Sequence, residues 1–244
     1  MIPKIINYIW LGGKKKGNLA NACIVSWKEK NQDYIIKEWN EKNLPLENLC
    51  LKNKFLRECK KRKLWAFMAD YLRLYILYHY GGIYVDLDVM SIKSFDECLD
   101  NSVFFGYEYF SKDDCDKVTE GTGVIGCEPG NEFIKKCLDY YDDEIRNTDV
   151  YYIPTIFSII KRRFPQLETN IYSVEYFAPY DYNKQFDLSV ITNKTIAIHW
   201  FEGSWTLNKN IGLFLKVKHI KSPFKKKIHQ FKNYLSYLKH KYYK

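Results

Sequence analysis

The seven cysteines of this chain include no C-x-x-C pair, and their number is odd. That excludes a zinc knuckle and a disulfide framework uniting all of them, and fits a reducing cytoplasm. No internal repeat and no low-complexity linker divides the sequence. No acidic residue follows Glu202, whereas eleven lysines do. Removing those eleven from the net charge of +9 leaves about −2 on the first 202 residues. The basic character belongs to the tail, so a general nucleic-acid-binding surface is not implied. Residues 1–13 are apolar but short, are interrupted by Lys4, and lack a small-residue cleavage site, so no signal peptide is expected. The apolar run 64–89 contains Asp70, Arg73 and His79, which argues against a membrane span.

What is present is a globular composition. The 244 residues are 46% hydrophobic and 17% aromatic, enough for one substantial domain with a large core. Residues 2–11 (IPKIINYIWL) read as a buried strand closed by Gly12-Gly13, 19–29 as a helix and 34–39 as a second strand. Strand, helix, strand in this order predicts a βαβ unit in an α/β fold. Residues 44–63 read as loop mixed with short helix. Strands are expected at 103–107, 121–126, 171–177 and 195–200, and helices at 131–145 and 154–164. The charged stretch 110–120 is expected to be a loop.

The centre of the chain is LWAFMADYLRLYILYHYGGIYVDLDV, residues 64–89. It predicts a helix, a glycine turn at Gly81-Gly82 and a strand through Val89. Asp70 and Arg73 share a helix face. Along 83–89 the alternation puts Tyr84, Asp86 and Asp88 on one side. Two such carboxylates repel each other unless a cation lies between them, and hard oxygens suit Mg²⁺ or Mn²⁺, which in turn bind diphosphate. The simpler alternative is a strand end with two solvated acids. Asp70 and Arg73 are either an ordinary ion pair or a carboxylate for sugar hydroxyls beside a guanidinium that reaches sugar and phosphate.

In HWFEGSW, His199 is either a buried histidine satisfied by the backbone or a third metal ligand. Ser204, Trp205 and Lys209 would then wrap the phosphates. Trp10, at the end of the first strand, is either core or a stacking platform for a flat base. In the tail, Ile228, Phe231, Leu235, Leu238 and Tyr242 recur at helical spacing among lysines. This basic amphipathic helix either docks on the domain or attaches to an anionic membrane surface.

IPKIINYIWLGG, ADYLRLYILYHYGGIYVDLDV and HWFEGSW together resemble the DXD-containing sugar transferases of glycosyltransferase family 32. That family includes bacterial capsule and lipopolysaccharide enzymes and is similar to the catalytic core of the large clostridial glucosylating toxins. The resemblance covers residues 1 to about 210. It implies the glycosyltransferase A fold, a Rossmann-like mixed sheet flanked by helices, over residues 1–212, followed by a lysine-rich helix at 213–244. It implies a nucleotide-sugar donor, a divalent metal (Mn²⁺ or Mg²⁺) and retention of anomeric configuration. By motif, Trp10, Leu11, Asp70, Arg73, Tyr84, Asp86, Ser204, Trp205 and Lys209 would bind donor. Asp86, Asp88 and Arg73 would be catalytic. Asp86, Asp88 and His199 would hold the metal, with Glu202 competing as third ligand, since related toxins use an acid and a serine there. Asn7 departs from the family's His three residues before its Trp, and Ile153-Pro154-Thr155 stands where members carry Thr-Gly-Pro.

The expected function is transfer of a hexose, from UDP-sugar by preference, to a hydroxyl of a surface polysaccharide or lipid-linked oligosaccharide. The expected location is cytoplasmic, peripheral on the inner membrane face. Three other readings stand beside it. One is a toxin-like protein glycosyltransferase. Another is a metal-dependent phosphohydrolase or nucleotidyltransferase, which leaves Asp70 and Arg73 without a task. The last is a silent glycan-binding domain, which leaves Asp86 and Asp88 unexplained.

Overall fold

The computed structural model describes residues 1–109, 118–181, 184–202 and 215–242. Its strands are β1 (Ile5–Ile9), β2 (Ile35–Trp39), β3 (Gly82–Val85), β4 (Val89–Ser91), β5 (Val103–Tyr109), β6 (Val118–Cys127), β7 (Asn170–Tyr172) and β8 (Ala197–His199). The helices are α1 (Asn18–Lys30), α2 (Leu46–Lys52), α3 (Lys54–Lys61), α4 (Trp65–Tyr80), α5 (Glu132–Asp139), α6 (Ile153–Arg163), α7 (Val174–Phe177) and α8 (Pro223–Tyr242).

Six strands form a mixed sheet in the order β2-β1-β3-β6-β5-β7. β1 runs parallel to β2 on one side and to β3 on the other, so the expected βαβ unit is present. β6 is antiparallel to both β3 and β5, and β7 closes the far edge parallel to β5. A separate antiparallel ribbon joins β4 to β8.

The period-two alternation of the strands divides the core between two faces. Ile83, Val85, Phe104 and Val124 pack on one side with Cys23 and Trp27 of α1. Tyr84, Phe105, Ile125 and Cys127 pack on the other with α4, α5 and α6. Burial of each such large apolar side chain stabilises the fold by roughly 1.5–3 kcal/mol. Helix α1 also fastens the ribbon: the Trp27 indole donates to Val89 O at 2.8 Å, and Ser26 Oγ accepts from the Ser91 N–H at 3.0 Å.

Helix α4 is apolar on most of its circumference and runs through the core. Gly81 ends it at φ +64°, with its N–H on Leu77 O at 2.9 Å. Gly82 follows at φ +91°, where a Cβ would stand 2.6 Å from Ile5 O. Only glycine combines that backbone with that approach. Asn7, fully buried, locks the turn by donating to Gly81 O at 3.0 Å and accepting from the Trp39 indole at 2.8 Å.

Four expectations change. The strand read through 83–89 ends at Val85, and 86–88 form a turn closed by the Val89 N–H on Asp86 O at 3.0 Å. Asp86 and Asp88 therefore sit on a turn rather than on one strand face. Residues 118–120, read with the loop 110–120, belong to β6; residues 110–117 lie outside the described part. The strand expected at 171–177 stops at Tyr172 and gives way to α7, because Ser173 opens a helical turn. The helix expected over 131–145 leaves α-geometry after Asp139 for a π-turn at Tyr140–Glu144 and a 3₁₀ turn at Ile145–Asn147. The polar stretch 44–63 resolves into α2 and α3. Asn53 caps α3 through the Leu56 N–H at 2.8 Å.

Leu215 and Val217 are buried in the domain. Lys218 donates to Thr148 O and Val150 O at 2.7 and 2.6 Å, and burial lowers its ammonium pKa to about 8. On α8, Phe224, Ile228 and Phe231 are exposed; the side chains of Leu235, Leu238 and Tyr242 lie outside the described part. No helix among the described residues is long and apolar enough to cross a membrane. Six cysteines are buried and free; Cys115 lies outside the described residues.

Candidate active site

The site forms where α4, the turn after β3, β6 and the end of β8 meet. Arg73 stands at its centre, 5% exposed. Its Nη2 lies 2.9 Å from Asp70 Oδ1 and 3.3 Å from Asp86 Oδ1. Its Nη1 donates to Thr122 O at 2.6 Å and lies 3.4 Å from Asp86 Oδ2. The guanidinium also lies over the Tyr84 ring, 4.5 Å from its centroid, and the Tyr84 hydroxyl donates to Asp86 Oδ1 at 2.8 Å. Arg73 Nε has no partner among the described residues.

Burial pushes the Asp70 carboxyl up to about 7, against the pull of Arg73. Burial likewise raises Asp86, with Arg73 again opposing it. For Arg73, burial acts against the charge, but Asp86, Tyr84 and Asp70 outweigh it and keep the guanidinium firmly cationic. Such a web is costly to desolvate and costlier still to break at one member.

Asp88 faces a different set of groups. Its Oδ1 lies 3.3 Å from His199 Nε2, and its Oδ2 accepts the Glu202 N–H at 2.9 Å. Its main-chain carbonyl accepts the Trp200 N–H at 2.8 Å, which extends the β4–β8 pairing to the turn. Burial would raise the Asp88 carboxyl, but the hydrogen bond and charge of His199 and the Glu202 N–H bring it below the ordinary value. The far side of the imidazole is held as well. Glu108 Oε1 of β5 lies 3.0 Å from His199 Nδ1, and Phe201 stacks on the ring at 4.1 Å between centroids.

The segment Gly121 to Gly126 joins the two sets. Between the pairs Phe105–Ile125 and Tyr107–Glu120 the register of β5 and β6 shifts, and the extra residues of β6 bow out as a bulge. Its freed carbonyls point into the site: Thr122 O receives Arg73, and Gly123 O receives the Asp86 N–H at 2.8 Å.

One oxygen each of Asp86 and Asp88 and one nitrogen of His199 lie within 4.8 Å of one another. These side chains are 25%, 17% and 12% exposed, so a small ligand can reach them. Two hard carboxylates and an imidazole form a donor set compatible with a divalent cation. Glu202 supplies its main-chain N–H to this group, and its carboxylate is not part of the cluster.

Of the other expected donor-site residues, Asp70, Arg73, Tyr84 and Asp86 form one connected network. Trp10 is half-buried and its indole donates to Lys14 O at 2.6 Å; Leu11 is buried in the core. Ser204, Trp205 and Lys209 lie outside the described residues. Sequence reasoning missed Glu108. Its signal lay in the glycines two apart at 121 and 123, which on a strand mark a place where another group approaches closely.

Residues 17–105 match the family model described as the glycosyltransferase sugar-binding region containing DXD motif. The uncharacterized glycosyltransferase L373 of Acanthamoeba polyphaga mimivirus is 30% identical over a 114-residue alignment that covers 43% of this chain. The chain thus spans 43% of the length of that relative. Among solved structures, the PaToxG glycosyltransferase superposes with a TM-score of 0.52 at 19% identity, covering 68% of this chain and 72% of that one. The apo-form glycosyltransferase GlyE of Streptococcus pneumoniae TIGR4 superposes with a TM-score of 0.50 at 12% identity, covering 97% of this chain and 64% of that one. The architecture is the glycosyltransferase A fold, and residues 17–105 are similar to the DXD-containing sugar-binding region of glycosyltransferases.

Proposed function

We propose that this protein is a retaining, divalent-metal-dependent glycosyltransferase that moves a hexose from a nucleotide sugar, by preference a UDP-sugar, to a hydroxyl of a surface polysaccharide or lipid-linked oligosaccharide. The observation that carries this reading is the convergence of Asp86, Asp88 and His199 beside the buried Asp70–Arg73 pair. A cation-binding cluster abutting a carboxylate poised for hydroxyls fits a substrate that joins a diphosphate to a sugar. A phosphohydrolase would need the first and not the second.

Asp70 accepts sugar hydroxyls from the floor of the site. Arg73 holds Asp70 and Asp86 in position and adds positive potential where the diphosphate departs. Asp86, Asp88 and His199 hold the cation, Mn²⁺ or Mg²⁺, which when bound neutralises charge on the leaving nucleoside diphosphate. Trp10 stacks on the base. The lysines of α8, interleaved with exposed Phe224, Ile228 and Phe231, support an acceptor presented at an anionic lipid surface on the cytoplasmic face.

A thermal-shift screen of nucleotide sugars with and without Mn²⁺ tests the reading. The true donor raises Tm only with the metal present, and is then consumed when acceptor is supplied. A nucleotide sugar that stabilises equally without metal, or release of inorganic phosphate without sugar transfer, overturns it.

A further inference from the structure

We propose that Glu108 is a positioning residue of the cation site. It accepts the Nδ1–H of His199, fixes the imidazole as the tautomer that offers Nε2, and aims that nitrogen at the space shared with Asp86 and Asp88. The inference rests on the reading of those three residues as a divalent-cation site and adds a fourth residue, from a different strand, that touches neither cation nor donor.

Three observations carry it. Glu108 Oε1 stands 3.0 Å from Nδ1, on the side of the ring opposite the 3.3 Å contact of Nε2 with Asp88. The imidazole therefore has one nitrogen engaged by Glu108 and the other directed at the ligand cluster. Ligating histidines take their orientation and tautomer from such a partner on the second nitrogen. Glu108 is itself held: its side chain is 17% exposed and lies against the bulge of β6.

The third observation accounts for the spacing of two glycines. A Cβ at Gly121 would stand 2.5 Å from Glu108 Cγ and 2.8 Å from its Oε1. A Cβ at Gly123 would stand 3.0 Å from both Cε1 and Nδ1 of His199, and 3.5 Å from Glu108 Oε1. The two bare positions make a slot in which the carboxylate and the ring lie edge to edge. Phe201, stacked at 4.1 Å, closes the other face of the ring. The backbone has been cleared for this pair of side chains, which a casual surface contact between an acid and a histidine would not require.

The test measures Mn²⁺ binding alone, by the electron paramagnetic resonance signal of free Mn²⁺, in the parent chain, Glu108→Ala, Glu108→Gln and Asp88→Asn. Apo-protein Tm is recorded for each. Glu108→Ala is expected to weaken Mn²⁺ by about 10- to 100-fold with its apo Tm retained. Glu108→Gln, whose amide oxygen still accepts the Nδ1–H, is expected to restore most of that loss. Asp88→Asn should abolish binding. Parent-like affinity in Glu108→Ala, with binding lost in Asp88→Asn, overturns the role of Glu108 and leaves the cation site standing. Parent-like affinity in Asp88→Asn overturns the site and this inference together. Nitrogen-15 NMR of the unmodified protein with Mg²⁺ bound needs no variant. The expected spectrum has His199 protonated at Nδ1, and a proton found on Nε2 instead refutes the proposal even if Glu108→Ala fails to fold.

Discussion

Asp86 and Asp88 are two residues apart, and their surroundings differ in kind. Asp86 belongs to a web that is cationic at its centre: Arg73 bridges it to Asp70, and Tyr84 of β3 donates to it. Burial leaves its carboxyl raised. Asp88 belongs to a web of His199, the Glu202 N–H and, behind the imidazole, Glu108 of β5. Its carboxyl ends below the ordinary value despite burial. One half is centred on a buried guanidinium and the other on a buried imidazole. The turn at 86–88 lets a single short segment serve both.

The sharpest way to break this contrast is to remove each half in turn. Asp88→Asn is expected to reduce sugar transfer by about three orders of magnitude, several kcal/mol of charge stabilisation at the departing diphosphate. Its urea midpoint should stay near the parent's. Initial rates at saturating donor, beside equilibrium unfolding, check both parts.

Arg73→Met should show the reverse emphasis. It leaves Asp70 and Asp86 without their counter-charge in a buried setting, at a cost of about 3–5 kcal/mol in unfolding free energy. A variant with parent stability would show that the web is not held by Arg73.

The next contrast is in pH. The Asp70 carboxyl sits at about 7 in the folded chain, above its ordinary value of 3.8. Between those values the folded state holds more protons than the unfolded one. This contribution to stability is therefore fully present below about pH 4 and is lost as pH rises through 7. On the proposed role of Asp70, donor binding uses the ionised carboxylate and should run the other way, weakening as pH falls below 7. Asp70→Asn is expected to flatten this component of the stability profile between pH 5 and pH 8, read by denaturant titration at each pH. A profile that keeps its full slope in Asp70→Asn would assign the proton to another group.

The smallest effect concerns the bulge. Gly123→Ala places a methyl 3.0 Å from the His199 ring and should cost about 1–3 kcal/mol through crowding, with weaker Mn²⁺ binding. Arg73 and Asp70 do not line that slot, so the Asp70 component of the pH profile should survive. Its loss would mean that the two halves are coupled through β6 more tightly than the hydrogen bonds of Thr122 and Gly123 suggest.

Much of this was legible in the sequence wherever a local pattern carried the information. The βαβ opening follows from runs of β-branched residues around an amphipathic stretch. The α4–Gly81–Gly82–β3 unit follows from an apolar helix stopped by residues that tolerate positive φ. The error at 83–89 has a definite cause. The alternation of Ile83, Val85, Leu87 and Val89 persists past Val85, but the Asp86 N–H pairs with Gly123 O, 37 positions further on, and the chain turns there. No local pattern announces a partner at that distance. Glu108 was invisible for the same reason: its neighbour His199 is 91 residues away in sequence. The glycines at 121 and 123 were conspicuous, but what they made room for could be identified only once β5, β6 and β8 were placed together.

The ribbon β4–β8 bears on how portable this site is. The segment matched as the sugar-binding region ends at residue 105, so it contains Asp70, Arg73, Asp86 and Asp88 but not Glu108, Gly121, Gly123 or His199. The ribbon brings residues 197–199 back onto residues 89–91 and so completes from outside what that segment leaves open. A chimera that exchanged residues 17–105 between relatives would move Asp70, Arg73, Asp86 and Asp88 and leave Glu108 and His199 behind. On the proposed reading the donor site has two pieces, one on each strand of the ribbon, and only a graft that carries both would transfer it whole.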